Sequence, residues 1–257
     1  MPNATIADGS LHYEIHGSGL PVVLVHGFPL SGRMWESTVA ALRGQWKLIV
    51  PETRGLARST GACNATMARY ADDLADLLDH VGESRPVVLV GMSMGGYTAF
   101  EFFRRHRDRL RALVLVDTNP KPDAPQKAEE RRALAQRVLK EGSGVVAEAM
   151  MPNLFGPHAA PEVRDEWRGI ISGSAPEGVA AALGAMADRA DSVPTLSMID
   201  VPTQVFVGEH DAITPPDTAR AMHGAIRGAR LDIIPGSGHM LPVEQPRAFE
   251  IALSAFL

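Results

Sequence analysis

Ser93 sits between glycines two positions to either side, in Gly91-Met92-Ser93-Met94-Gly95-Gly96. A serine hydroxyl is a weak nucleophile until a neighbouring base takes its proton. Glycines at this spacing relieve crowding in a sharp strand-to-helix turn, which lifts the hydroxyl clear of the strand end. His239, in Pro235-Gly236-Ser237-Gly238-His239, supplies the base. An imidazole that gains a proton needs an acid to hold its tautomer and offset its charge. Asp211, in Gly208-Glu209-His210-Asp211, is the chosen acid. Asp117 competes with it because it also follows an apolar run, but a cap or loop hydrogen bond is the preferred reading of that residue. Glu209 and Asp217 are near and less suited. Attack of Ser93 on a carbonyl carbon places negative charge on the carbonyl oxygen, and amide N–H groups stabilise that charge. Met94 offers one at the start of a helix. Phe28, in His26-Gly27-Phe28-Pro29, offers a second, whereas Pro29 has no N–H to give. His26 reads as an organiser of that loop.

These residues need rigid elements to bring them together. An Asp8-Gly9 turn predicts a hairpin whose second strand covers residues 11–15. Apolar runs at 22–25, 47–50, 87–90 and 112–116 predict strands buried on both faces, as in a parallel sheet. Met67, Tyr70, Leu74, Leu77 and Leu78 recur at helical spacing, with aspartates between them, and predict an amphipathic helix ending near Gly82. A helix after Ser93 should bury Ala99, Phe100 and Phe103. This alternation is an α/β pattern. Strand signals then stop over residues 119–199. A charged helix is expected at 126–141, followed by an apolar patch of Met150, Met151, Leu154 and Phe155 bounded by prolines. Helices are expected near 161–171 and 176–188. The sheet resumes at 203–207 and again at 229–234, with helices expected at 214–223 and 244–257. The chain therefore divides into a core of residues 1–118 and 200–257 and a helical cap insertion of residues 119–199. Phe28, Met150, Met151, Leu154, Phe155 and Trp167 are the candidate substrate-pocket residues, some of them serving as cap core.

Composition narrows the function. Lys and Arg number 25 against 30 Asp and Glu, a net charge of −5 with no long basic run, so no nucleic-acid groove is expected. No segment has the apolar length of a membrane span. The N-terminal residues lack the basic and apolar regions of a secretion signal, so a cytoplasmic protein is expected. Cys63 is the single cysteine and stands in a polar stretch without a partner base, which makes it incidental. Nothing in the sequence specifies an oligomeric state.

The four motifs together resemble the α/β-hydrolase superfamily, and most closely its small cofactor-free esterases, lactonases and non-haem haloperoxidase-like members. The resemblance covers essentially the whole chain. It implies a mostly parallel sheet flanked by helices, with a helical cap. It also implies a triad of Ser93, Asp211 and His239 in that chain order, and an oxyanion hole from the Phe28 and Met94 amides. No metal or organic cofactor is required. The expected partner is a small ester or lactone, cleaved through an acyl-enzyme. Lactone or enol-lactone opening, peroxide-dependent perhydrolysis and a non-catalytic ligand-binding role are the alternatives. Serine at position 93 argues against haloalkane dehalogenation, which needs a carboxylate there. The loop from Pro51 to Ser59 also resembles a family loop, but carries Glu52 where Asp is commoner and Ala57 where Gly is commoner. Arg54 in this loop reads as a structural ion-pair partner rather than a substrate ligand.

Overall fold

A computed structural model describes residues 2–61 and 65–257. Cys63 lies outside the described residues. The chain runs through β1 (Asn3–Ile6), β2 (Gly9–His16), β3 (Pro21–Val25), α1 (Glu36–Leu42), β4 (Lys47–Pro51), α2 (Met67–His80), β5 (Val87–Met92), α3 (Met94–Arg105) and β6 (Leu110–Val116). Five helices follow without a strand: α4 (Pro125–Glu141), α5 (Gly144–Leu154), α6 (Pro161–Ser172), α7 (Pro176–Ala187) and α8 (Val193–Leu196). The sheet then resumes with β7 (Thr203–Gly208), α9 (Pro216–Ala225), β8 (Arg230–Ile234), α10 (Leu241–Glu244) and α11 (Pro246–Phe256).

All eight strands form one sheet in the order β1-β2-β4-β3-β5-β6-β7-β8. β1 and β2 pair antiparallel across the Asp8 turn, where Asp8 takes a positive φ of 63°. β2 also pairs antiparallel with β4, and every later pair is parallel. β3, β5 and β7 are buried at every residue, which explains their unbroken apolar runs. Alternate side chains feed two cores. Val23, Val25, Leu89, Leu113 and Leu115 meet Leu74, Leu77 and Leu78 of α2 and Phe100, Phe102 and Phe103 of α3. Val22, Leu24, Val88, Val90, Val114 and Val116 belong to the opposite core, which includes Trp35 and Phe249 and continues into Val138, Val146, Trp167, Ile171 and Leu183 of the helical segment. That segment therefore shares a core with one sheet face. Among the described residues no single helix is long and apolar enough to cross a membrane.

Three local differences from the sequence reading have physical causes. The expected closing helix over 244–257 is two helices broken at Gln245, whose φ of −130° is non-helical. Pro246 disfavours helical backbone at the residue before it. The apolar patch around Met150 and Leu154 is the end of a helix, α5, that runs on past Pro152. The helix expected from 214, α9, starts at Pro216, with Thr214 engaged in a loop contact described below.

The loop after β4 is fastened to α2. Arg54 Nε and Nη2 donate to the two oxygens of Asp73 at 2.8 and 2.7 Å, with both side chains almost fully buried. Asp73 also accepts from Arg69 Nε at 2.9 Å. Removing one partner of a buried pair leaves the other charge uncompensated, which costs about 3–5 kcal/mol. Asp73→Ala should lower unfolding stability by about that amount, and urea denaturation checks it. In the same loop Glu52 is buried and accepts from the Arg58 backbone N–H at 2.7 Å and from the Arg58 guanidinium at 2.8–3.1 Å. Ala57 takes a φ of +49°, the conformation that favours the glycine commoner there. Glu52 thus braces the loop through Arg58, and Ala57 places a Cβ on left-handed backbone.

Candidate active site

β5 runs directly into α3 through Ser93, which adopts φ 52° and ψ −114°. The flanking glycines are sterically required. A Cβ at Gly91 would stand 2.4 Å from the Gly95 carbonyl oxygen, and one at Gly95 would stand 2.5 Å from the Val25 carbonyl oxygen. The strained turn is held by backbone bonds, since Ser93 N–H donates to Val116 O at 2.9 Å and Ser93 O accepts from Thr118 Oγ1 at 2.7 Å.

His239 follows β8 in a loop that Glu244 braces. The Glu244 carboxylate accepts from the N–H groups of Gly238 at 2.9 Å, Met240 at 3.2 Å and, from the helical segment, Gly156 at 2.7 Å. Asp211 follows β7. The β7 and β8 loops are stitched together by His210 N–H donating to Ser237 O at 2.8 Å. His239 Nε2 lies 2.9 Å from Ser93 Oγ, and Nδ1 lies 2.8 Å from Asp211 Oδ2. An ionised Asp211 accepts a proton-bearing Nδ1, which leaves Nε2 with its lone pair toward the serine hydroxyl.

Asp211 is fixed by three further donors. Oδ1 accepts from the N–H groups of Ile213 at 2.8 Å and Thr214 at 2.9 Å, and Oδ2 accepts from Thr214 Oγ1 at 2.6 Å. Burial opposes its charge, but His239 beside it and the Thr214 hydrogen bonds outweigh burial and hold the carboxyl below its ordinary range. Asp117 has the opposite fate. It is buried, its Oδ1 accepts from Gly208 N–H at 2.8 Å, and its Oδ2 has no donor among the described residues. Burial first, and the Asp211 charge second, push its carboxyl well above the ordinary range. Two adjacent buried carboxyls do not both ionise readily. Burial therefore disfavours the ionised form of Asp117 while its partners favour that of Asp211, and Asp117 braces the end of β7 through Gly208.

Gly27 brings the loop after β3 against the serine, because a Cβ there would be 3.2 Å from Ser93 Cβ. His26 supports this loop from below. Its Nδ1 is 2.8 Å from Gly27 O, and its Nε2 accepts from Thr53 N–H at 2.9 Å. Full burial lowers its basicity, so it serves as a neutral strut. The N–H groups of Phe28 and Met94 have no acceptor among the described residues. Both are thus left available to a ligand oxygen, one in the β3 loop and one at the N-terminus of α3.

A cavity of about 490 Å³ contains Ser93 and His239 in its lining. Of the pocket residues expected from sequence, Phe28 and Met150 line it. Met151, Leu154, Phe155 and Trp167 do not, being buried in the apolar core instead. Met151 follows Met150 by one residue and so projects from a different side of α5, and Phe155 packs under the Arg164 guanidinium, 5.5 Å from its ring centre. Sequence reasoning missed Tyr97, Leu183, Met186 and Ile213 in the lining. It also missed a wall formed by Lys127, Glu130, Arg131, Leu134 and Arg137 of α4. Their spacing of three and four residues marks one helix face and was the available signal. Among the described residues no three His, Cys, Asp or Glu side chains are grouped as a metal-ligand set.

Comparison with known proteins agrees with this architecture. A family model described as alpha/beta hydrolase fold matches residues 21–246. The structure of a thermophilic esterase from Thermogutta terrifontis superposes with a TM-score of 0.94 at 44% identity, covering 96% of this chain and 93% of that one. An enol-lactonase from Burkholderia xenovorans superposes with a TM-score of 0.91 at 28% identity, over 99% of both chains. A non-heme haloperoxidase from Rhodococcus erythropolis is 30% identical, over 93% of each chain. By sequence and by fold, the chain belongs to the α/β hydrolase family.

Proposed function

We propose that this hydrolase cleaves small carboxylic esters through an acyl-enzyme formed on Ser93. The observation that carries the reading is the unbroken row from Ser93 Oγ through His239 to Asp211, at 2.9 and 2.8 Å. His239 Nε2 takes the hydroxyl proton as Ser93 Oγ bonds to the carbonyl carbon. The amides of Phe28 and Met94 donate to the resulting oxyanion. When the tetrahedral adduct collapses, the bond to the alcohol oxygen breaks and His239 delivers the proton to that oxygen. Water then attacks the acyl carbon while His239 accepts its proton. The second adduct collapses with the proton returned to Ser93 Oγ and the acid released. Asp211 stays ionised and orients the imidazole throughout. Residues 119–199 act as a cap whose α4, α5 and α7 shape the cavity, a role supported by Leu134, Met150 and Leu183 in its lining.

Lactone opening is the second reading. It uses the same steps with the alcohol and acid left in one molecule, and the enol-lactonase likeness over 99% of both chains favours it. Steady-state kcat/KM for short acyl esters and for lactones, each with and without hydrogen peroxide, separates the readings. Ester turnover should dominate and be indifferent to peroxide. Lactones cleaved more than about tenfold faster, or a peracid as main product, overturns the ester assignment.

A further inference from the structure

The charges in the α4 wall of the cavity do not cancel. Lys127 Nζ pairs with Glu130 at 3.1 Å, and the Arg137 guanidinium pairs with Glu141 at 3.0 and 3.1 Å. Arg131 has to share its acid. Asp123 Oδ2 accepts from Arg131 Nε, while Asp123 Oδ1 pairs with Arg189 Nη1 at 2.7 Å. One carboxylate between two guanidinium groups leaves one positive charge over. Arg189 is fully engaged, since it also donates to Lys121 O at 2.9 and 3.1 Å and to Met186 O at 2.8 Å, and it lies 4.4 Å from the centre of the Tyr97 ring. Arg131 is not. Only its Nε is used, and its two Nη groups have no acceptor among the described residues. Arg131 lines the same cavity as Ser93, and its side chain is 19% exposed.

We propose that the Nη groups of Arg131 form a carboxylate subsite in this cavity, which makes half-esters of dicarboxylic acids its preferred substrates. The inference rests on the hydrolytic reading above and narrows it. A guanidinium edge matches the two oxygens of a carboxylate and gives charge-assisted hydrogen bonds. The remaining lining includes Phe28, Leu134, Val146, Leu183 and Met186, which suit a short methylene chain between the ester and the acid. The single surplus positive charge of this wall is balanced by a monoanion, whereas a phosphate dianion would leave charge unpaired.

The test compares phenyl hydrogen glutarate with phenyl 5-oxohexanoate, in which a methyl ketone replaces the carboxylate at nearly constant size. The wild-type protein should favour the half-ester by about 10- to 100-fold in kcat/KM at neutral pH. The ratio should fall toward one as the substrate carboxyl is protonated, and also in Arg131→Met, with Arg131→Lys between. Equal rates on the two esters, or an undiminished ratio in Arg131→Met, overturn the subsite while leaving ester hydrolysis intact. If neither ester is cleaved by the wild-type protein, the hydrolytic reading itself fails. Calorimetric binding of both compounds to Ser93→Ala protein then reads the subsite without turnover. Binding of the half-ester at least about tenfold tighter supports it, and equal affinity overturns it.

Discussion

Ser93→Ala should reduce ester hydrolysis by at least about 10⁴-fold in kcat while leaving the folded protein intact. The loss follows from chemistry alone. Without Oγ no bond can form to the acyl carbon, and His239 has no proton to take. What survives is water attack in a cavity that still holds the two amide donors. The fold should tolerate the change because alanine meets the same backbone constraint as serine at φ 52°, and the bonds that hold the turn use main-chain atoms and Thr118. Thermal unfolding midpoints within a few degrees, together with loss of labelling by a fluorophosphonate probe, complete the measurement. Labelling that persists in the variant would move the nucleophile elsewhere.

Asp211→Asn should cost about as much, on the order of 10⁴-fold in kcat. An amide in that position no longer offsets the imidazolium charge. It can also turn its NH₂ toward His239, which places the ring proton on the nitrogen that should face Ser93. Asp117→Asn should cost far less, because burial and the Asp211 charge already disfavour its ionised form and an amide oxygen can still accept from Gly208 N–H. The contrast between two buried acids from adjacent strand ends is the informative result. A large loss in Asp117→Asn with little in Asp211→Asn would put the working acid on Asp117. The pH response has a definite sign. Asp211 ionises more readily than an ordinary carboxyl, so its contribution to stability is complete above an unfolded value of about 3.9 and fades as pH falls through the lower folded value. Unfolding measured between neutral and strongly acidic pH should show this contribution missing from Asp211→Asn.

The parts of the site carried by strand ends were legible because their signals are local. Glycines either side of Ser93 answer to contacts within one turn and the neighbouring strand, and the apolar runs before Ser93, Asp211 and His239 announce the strands that deliver them. The choice of Asp211 over Asp117 was weaker in the sequence, since both follow strands. In the structure Asp211 lies 2.8 Å from His239 Nδ1 and takes three donors from the 213–214 turn, whereas Asp117 accepts from Gly208 N–H and has no histidine contact among the described residues. The cavity lining was the poorest reading. Met151, Leu154 and Trp167 lie on helices that have apolar neighbours on more than one side, Phe155 directly follows one, and composition does not say which side meets the cavity. The sequence predicts α4 only as a charged helix, yet its Arg131 and Lys127 line the cavity. Such faces are settled by how helices dock, a long-range matter that helical spacing does not encode.

The positive φ at Ser93 has an evolutionary corollary. Glycine would occupy that backbone geometry with less strain, a relief worth about 1–3 kcal/mol. A descendant lineage relieved of any need for turnover would therefore gain thermal robustness by drifting to glycine there, less the greater freedom that glycine gives the unfolded chain.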